Sequence, residues 1–216
     1  MRARAEPDRE PPGWSVPRIW DGGSCLILGG GDSIRLLKPE LVAQNRAIAV
    51  NCAAIDFPLS EVFFWGDAGF PQRFAAELQA FQGLKVCCCA ADASIPGVRF
   101  VRKLRDGGPL TSNPTCVRWN ASSGACAINL AVHFGVKRIV LCGFDMHKRP
   151  DGRNNYHERY SPGIGIASDP FRRFLHPFTQ IAVDLERLGI ECVNASPGSA
   201  IGTIQIVHPR DVGLAE

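Results

Sequence analysis

The sequence predicts an α/β domain in which a mainly parallel sheet carries helices on both faces. Short apolar runs that suit strands alternate with segments whose apolar residues recur at helical spacing. The run at 25–28 is apolar without interruption, as expected of a strand that is buried on both faces. Regular alternation of strands and helices is typical of parallel sheets, because each crossover between parallel strands needs a helix.

The individual elements follow from the same patterns. Strands are predicted at 25–28, 47–50, 62–65, 84–89, 98–101, 138–142 and 190–193. Helices are predicted at 38–44, 73–81, 122–134 and 169–188, and Gly135 ends the third of them. Gly, Pro, Asn and Thr at 106–119 predict a loop, and 194–199 is a turn-rich exit. The polar segment 143–168 lacks periodicity and is expected to form a short lid.

Composition limits the function classes. The chain has 216 residues, is 45% hydrophobic and 21% charged, and carries a net charge of +3, which is too small to favour nucleic acid as a partner. No segment approaches the roughly 18 apolar residues of a membrane span, and the first residues lack the apolar core of a signal peptide. We therefore expect a cytoplasmic protein with a flexible tail at 1–20 and a single domain at 21–216.

The nine cysteines do not indicate a disulfide scaffold. Five of them lie in apolar or small-residue runs, three are consecutive at 87–89, and no C-x-x-C pair occurs. Reduced and mostly buried thiols are expected, and a cysteine-based zinc site is disfavoured.

A glycine turn follows the first strand. Three glycines, Asp32 and Ser33 stand between the strand and a helix-compatible segment that begins at Ile34. The glycines allow a ligand to approach bare backbone, and Asp32 or Ser33 can cap a helix start that attracts phosphate. The alternative is a tight turn that needs glycine for geometry alone. A nicotinamide or flavin site is disfavoured, because Ile34 replaces the third glycine of G-x-G-x-x-G and Asn51 replaces the usual acid.

Several polar residues are predicted to meet at one edge of the sheet. Asn51, Asp67 and the segment 143–147 each follow a strand directly, and Ser123 and Gly124 begin the helix that precedes the strand at 138–142. Ligands of open α/β sheets bind at the carboxyl ends of the strands. This edge is the strongest prediction of a site, although Ser122 and Ser123 also suit simple helix capping.

The polar segment supplies candidates for chemistry. A histidine such as His157 can accept a proton near neutral pH, and the hydroxyls of Tyr156 and Tyr160 can donate to a departing phosphate. Asp145, His147 and His157 are also compatible with a divalent metal, although their spacing matches no strong metal motif. Arg172 and Arg173 are candidates to reach a phosphate, or else solvent-facing charges on a helix.

The order and spacing of these segments resembles bacterial sialyltransferases of the GT42 type, and small phage-encoded Rossmann-like proteins related to them and to archaeal pterin pyrophosphokinases. The resemblance rests on Leu-Gly-Gly-Gly-Asp-Ser at 28–33, Ala-Val-Asn at 49–51, Ser-Gly at 123–124, Val-Lys-Arg-Ile-Val-Leu-Cys-Gly-Phe-Asp at 136–145, and the exit at 194–199. Gly30 and Asp32 stand where the turn of that family has Asn and Pro.

The resemblance implies a Rossmann-like fold and a set of site residues. His157 becomes the candidate base, with Tyr156 and Tyr160 as candidate donors to the leaving phosphate. The nucleotide-binding residues that the resemblance implies are Gly29, Gly30, Gly31, Asp32, Ser33, Asn51, Ser123 and Gly124. Asp67 and Asp145 are added to them because they follow strands at the same edge of the sheet, and no metal ligand is assigned.

The implied function is transfer of a sugar from a nucleotide-sugar donor, most simply a CMP-linked one, to a small-molecule or glycan acceptor, without a required cofactor. Two alternatives stay open: an ATP- and magnesium-dependent pyrophosphokinase-like enzyme with the metal near Asp145, and a non-catalytic nucleotide-binding phage protein. Neither nucleic acid nor a membrane span is expected, and a homo-oligomer is left open.

Overall fold

A computed structural model describes residues 11–119, 122–159 and 169–216. Its ten strands are β1 (Ser24–Leu28), β2 (Ala47–Val50), β3 (Val62–Trp65), β4 (Leu84–Cys87), β5 (Val98–Phe100), β6 (Arg102–Leu104), β7 (Cys116–Arg118), β8 (Arg138–Cys142), β9 (Glu191–Asn194) and β10 (Gln205–Ile206). Eight of them form one parallel sheet in the order β10-β9-β8-β1-β2-β3-β4-β5, and β6 pairs with β7 in a separate parallel ladder.

Seven α-helices connect these strands. They are α1 (Pro39–Val42), α2 (Ala53–Asp56), α3 (Phe70–Arg73), α4 (Ala75–Ala80), α5 (Ser123–Phe134), α6 (Phe171–Leu175) and α7 (Phe178–Arg187). Among the residues that the structure describes, no helix is both long and apolar enough to cross a membrane. The cytoplasmic location stays a prediction.

The sheet is buried on both faces, because side chains alternate along each strand. In β1, Cys25 and Ile27 join a core cluster that includes Phe134 of α5 and Phe178 of α7. Leu26 and Leu28 point the other way, into a cluster built with residues of α1 to α4. The predicted α/β fold, with a parallel sheet and helices on both faces, is confirmed.

The strand order reverses at β1. From β1 the chain builds β2, β3, β4 and β5 outward on one side, and then returns through β6, β7 and α5 to place β8 on the other side of β1. Leu28 is paired with Cys142, so the carboxyl ends of β1 and β8 lie side by side. In open α/β sheets this reversal is the place where ligands bind.

Some predicted boundaries are wrong. The expected loop 106–119 contains β7, and the expected helix 169–188 is two helices separated at Pro177, whose ring removes a backbone donor. The expected helix 73–81 is likewise divided into α3 and α4 at Phe74. The final strand β10 was not predicted, and the lid residues 160–168 lie outside the described part of the chain.

The expected flexible tail is wrong for residues 11–20, while residues 1–10 are not described. Val16 and Trp20 are buried, and the Val16 amide donates to Pro114 O at 3.0 Å. The Trp20 ring packs on Phe134 with 4.6 Å between centroids. The sequence pattern did not predict the packing of this segment, because its two buried residues are isolated among prolines and charged residues.

Candidate functional site

A cavity of about 770 Å³ opens at the carboxyl ends of β1, β2, β3 and β8, where the strand order reverses. Its volume lies in the range of small-molecule sites. The cavity brings together eight of the residues predicted from sequence, namely Gly29, Gly30, Gly31, Asn51, Asp67, Ser123, Gly124 and His157. The glycine turn and the start of α5 therefore lie on the same cavity, as the nucleotide hypothesis requires.

The glycines of the first turn are needed for close packing against the end of β8. A Cβ on Gly29 would lie 2.7 Å from Gly143 O, and a Cβ on Gly31 would overlap the Asp145 carboxylate and lie 2.8 Å from Gly143 O. None of the three glycines has a positive φ. The role of Gly29 and Gly31 is thus to let the ends of β1 and β8 approach each other, whereas Gly30 meets only the Asn155 side chain.

Most amides of this turn are already engaged within the protein. The Gly29 amide donates to Cys142 O and the Gly31 amide to Gly143 O, both at 2.7 Å, and the Ser33 amide donates to Asp145 Oδ1 at 3.1 Å. A phosphate cradle made of these three N–H groups is therefore incompatible with the structure. The turn instead forms one wall of the cavity.

Asp32, Ser33 and Asp145 brace the turn and do not line the cavity. Asp145 is buried and accepts a hydrogen bond from Ser33 Oγ at 3.0 Å. Burial raises the pKa of the Asp145 carboxyl, although the hydrogen bonds from Ser33 oppose the shift. Asp32 forms ion pairs with Arg35 and Arg149 at 3.3 and 3.4 Å. Direct nucleotide contact was predicted for all three acidic or hydroxyl groups, but their oxygens face other parts of the protein.

The start of α5 provides the stronger anion site. Helix α5 has 12 residues, and the side chain of its N-cap Ser122 makes no capping hydrogen bond. Within the described residues, no acceptor takes the amides of Ser123 and Gly124, which both line the cavity. Unpaired amides and the positive end of the helix dipole favour an anion at this position.

Asn51 lines the cavity and has a buried side-chain oxygen without a described hydrogen-bond partner. Its Nδ2 donates to Asp67 Oδ2 at 3.2 Å, and Ser123 Oγ donates to the same oxygen at 3.4 Å. Because a carboxylate only accepts, this contact fixes the amide orientation and leaves Asn51 Oδ1, which is buried and has no partner in the described structure. Asn51 also has a φ of 53°, a strained conformation of the kind that concentrates at functional sites.

The segment 154–157 covers the glycine turn from the opposite side. The Tyr156 amide donates to Gly30 O at 3.0 Å, and Asn155 Oδ1 would lie 2.9 Å from a Cβ on Gly30. Asn154 lines the cavity with a second buried amide oxygen that has no described partner. Two residues that line the cavity therefore each have a buried acceptor oxygen without a described partner, a feature that calls for an explanation.

His157 lines the cavity with a neutral ring. Burial and the nearby Arg159 guanidinium lower the pKa of His157 to about 4. Its Nδ1 accepts a hydrogen bond from the Arg159 amide at 3.3 Å, so the proton of the neutral ring resides on Nε2. This hydrogen bond disfavours the predicted role of His157 as a base, because the lone pair that would accept a proton is on Nδ1, where it already accepts from the Arg159 amide.

The tyrosines contribute less than predicted. The Tyr156 hydroxyl is buried and donates to the Asp56 carboxylate, with Cys52 O at 3.4 Å, and Tyr156 does not line the cavity. Its predicted donation to phosphate is thus replaced by a structural contact. Tyr160 lies outside the described residues.

Comparison with solved structures shows what this arrangement is similar to. The sialyltransferase CstII from Campylobacter jejuni in complex with CMP-3FNeuAc matches with a TM-score of 0.56 and 11% identity over 89% of this chain and 88% of that chain. Monofunctional α-2,3-sialyltransferase Cst-I from the same organism matches at 0.54 and 12% identity, over 84% and 78%. The MAf glycosyltransferase from Magnetospirillum magneticum AMB-1 matches at 0.60 and 11% identity, over 94% of this chain and 36% of that chain.

The chain shares the fold of these sialyltransferases. No family model and no curated protein matches it by sequence. The resemblance recognised from short motifs is confirmed at the level of the sialyltransferase-like fold. Relationship to the phage-encoded proteins stays a prediction.

The structure also brings two cations to the cavity, one that the sequence analysis missed and one that it left open. Arg73, at the end of α3, and Arg173, on α6, both line the cavity, and neither forms an ion pair with a described carboxylate. Arg173 was one of two arginines named as candidates, whereas Arg73 gave no signal beyond its place on a predicted helix. Both guanidiniums add positive charge to a cavity that already holds a helix start.

The candidate metal ligands are not brought together. Within the described ranges, no group of three His, Cys, Asp or Glu side chains is placed to hold a metal ion. Asp145 is buried behind the glycine turn, and His147 is exposed with its Nδ1 near Lys148 O at 2.9 Å. The structure therefore offers no particular support for a magnesium site near Asp145.

Proposed function

We propose that the chain is a glycosyltransferase that uses a CMP-linked sugar as its donor. Support comes from the shared fold and from the names of the similar structures, which include CstII in complexes with cytidine-5'-monophosphate and with CMP-3FNeuAc. The cavity lies at the strand-order reversal and is large enough for a nucleotide and a sugar.

The observation that carries the proposal is the buried Oδ1 of Asn51, which has no described partner, together with the amides of Ser123 and Gly124 at the start of α5. An exocyclic amino group, such as that of cytosine, would donate to this oxygen, whereas uracil presents a carbonyl in the corresponding place and would leave it unpaired. The phosphate would then rest on the amides of Ser123 and Gly124. The site thus offers one acceptor for a base and several donors for an anion.

The transfer step needs two further functions. An acceptor hydroxyl attacks the anomeric carbon, the bond from that carbon to the phosphate oxygen breaks, and CMP leaves with the bonding electrons. We assign the developing charge on the phosphate to the α5 amides, to Arg173 and to the Nε2–H of His157. We assign the hydroxyl proton to Asp67, because this residue lines the cavity and its Oδ1 receives no hydrogen bond from a described donor.

Ligand binding tests this proposal directly. Calorimetry with CMP, UMP, AMP and ATP, with and without magnesium, should show tightest binding to CMP without a metal requirement. Asn51→Ala should weaken CMP binding about tenfold, because it removes the hydrogen bond from the base to Asn51 Oδ1, which contributes about 1–2 kcal/mol. Asn45→Ala serves as the matched control, because the Asn45 side chain bonds only to Leu41 O within its own exposed turn.

Turnover completes the test. Incubation with a CMP-sugar and an acceptor mixture should release CMP. Asp67→Asn should lower the rate by more than its CMP affinity falls, because Asp67 both accepts the hydroxyl proton and orients the Asn51 amide. Binding of ATP with magnesium in preference to CMP would instead favour the pyrophosphokinase-like enzyme. If no nucleotide binds, the proposal is refuted.

A further inference from the structure

The Asp56 carboxylate accepts hydrogen bonds from residues on both sides of His157. Asp56 ends α2, and the two terminal nitrogens of Arg159 donate to its two oxygens at 2.7 Å each. The Tyr156 hydroxyl donates to the same carboxylate. The residue before His157 and the residue two positions after it are thus anchored to one point on α2.

These anchors reach the His157 ring through the backbone. The ring packs against Tyr156 in a T-shaped arrangement with 4.8 Å between centroids, and the Arg159 amide donates to its Nδ1 at 3.3 Å. Because that amide occupies Nδ1, the neutral ring carries its proton on Nε2. The nitrogen that bears the proton is therefore determined by where the Arg159 backbone is held.

We propose that Asp56 is a positioning residue that fixes the tautomer and the placement of His157 in the cavity. The inference rests on the proposed function for its catalytic meaning, but its structural content stands apart from any particular substrate. Asp56 does not line the cavity, and its hydrogen bonds reach the His157 segment through Tyr156 and Arg159.

The electrostatics of the cluster agree with a permanently charged anchor. Burial alone would raise the pKa of the Asp56 carboxyl, but the hydrogen bonds from Arg159 and Tyr156 outweigh it and lower the pKa. The same carboxylate raises the pKa of Arg159 through their hydrogen bonds. Asp56 therefore stays ionised and Arg159 stays protonated through the neutral pH range, so the hydrogen bonds between them persist across that range.

The direct test is the tautomer itself. Nitrogen-15 spectra of protein labelled at its five histidines, with the His157 signals assigned from the His157→Gln variant, distinguish Nε2–H from Nδ1–H rings. In the wild type we expect the Nε2–H pattern for His157. In Asp56→Asn we expect averaging between the two tautomers, because the Arg159 amide is released from Nδ1.

Kinetics supply a second, separate measurement. Asp56→Asn should lower kcat by about 10- to 100-fold with little change in KM for the donor, as expected when a reacting group is displaced by about 1 Å. Asp56→Glu should recover part of the loss, because a longer carboxylate can still engage Arg159. Glu191→Gln is the matched control, because it removes an exposed ion pair with Arg138 at 3.3 Å, at the end of β8 that is far from the cavity. It should change neither the His157 spectrum nor kcat.

The outcomes separate this inference from the proposed function. If CMP and CMP-sugars prove inert but Asp56→Asn alters the His157 spectrum, the positioning role stands and the proposed function fails. If the His157 spectrum is identical in wild type and Asp56→Asn, the positioning role is refuted, whatever the activity. Should Asp56→Asn not fold, Tyr156→Phe and Arg159→Gln each remove one anchor, and an unchanged spectrum in both refutes it equally.

Discussion

Substitution of Gly31 by alanine tests whether the glycine turn exists for close packing. A Cβ at this position would lie 2.6 Å from Asp145 Cγ and 2.8 Å from Gly143 O. The first neighbour is a buried carboxylate held by Ser33, and the second is backbone, so neither can move away without breaking other contacts.

The expected cost follows from these contacts. Overpacking costs about 1–3 kcal/mol, and a displaced carboxylate loses hydrogen bonds worth about 1.5–3 kcal/mol, so Gly31→Ala should lower the free energy of unfolding by about 2.5–6 kcal/mol. Urea denaturation followed by circular dichroism measures this difference.

Two further alanine variants make the experiment specific. A Cβ on Gly30 would meet only the side-chain oxygen of Asn155, at 2.9 Å, which can rotate away, so Gly30→Ala should cost about 1 kcal/mol or less. A Cβ on Gly202 would have no neighbour within 4 Å, and Gly202→Ala should be within about 0.5 kcal/mol of wild type. If Gly31→Ala is as stable as Gly202→Ala, the packing explanation is refuted.

Three other predictions concern binding, pH and the N-terminal segment. Asn51→Asp should weaken CMP binding more than Asn51→Ala, because it places a second carboxylate beside Asp67. Calorimetry at low and moderate salt should show that the difference in CMP affinity between the two variants decreases as the salt concentration rises. Because the pKa of Asp56 is lowered in the folded state, its carboxylate stabilises the fold above the ordinary aspartate pKa of about 3.9, and this contribution disappears as the pH falls through the lower folded value. Urea denaturation should therefore show a lower free energy of unfolding for Asp56→Asn than for wild type at pH 6, and no difference in strong acid. Trp20→Ala should lower the free energy of unfolding by about 3–5 kcal/mol because the buried ring packs on Phe134; a loss below about 1 kcal/mol would mean that residues 11–20 are dispensable.

The sequence predicted those features of the fold that depend on local pattern. The uninterrupted apolar run before Gly29 predicted β1, and Gly135 marked the end of α5, where its φ of 90° suits glycine. Neighbouring strand ends then placed Asn51 and Asp67 at one edge of the sheet. These inferences needed only side-chain alternation and the rule that parallel strands end on the same side.

The sequence could not reveal what depends on contacts across the chain. Gly31 is a glycine because of Asp145, and nothing local distinguishes that reason from a need for ligand access. The orientation of the Asn51 amide is likewise decided by Asp67, so its unpaired oxygen becomes visible only in three dimensions. The position of His157 depends on Asp56, about a hundred residues earlier, which gave no signal at all.

The hydrogen bonds between Ser33 and Asp145 join residues 112 positions apart. During synthesis, the first four strands leave the ribosome long before β8 exists, so the emerging half-sheet has the glycine turn but lacks the strand end that shapes it. The proposed nucleotide site is consequently completed only when the second half of the chain docks beside β1. A chain that ends before β8 would therefore lack one wall of that site.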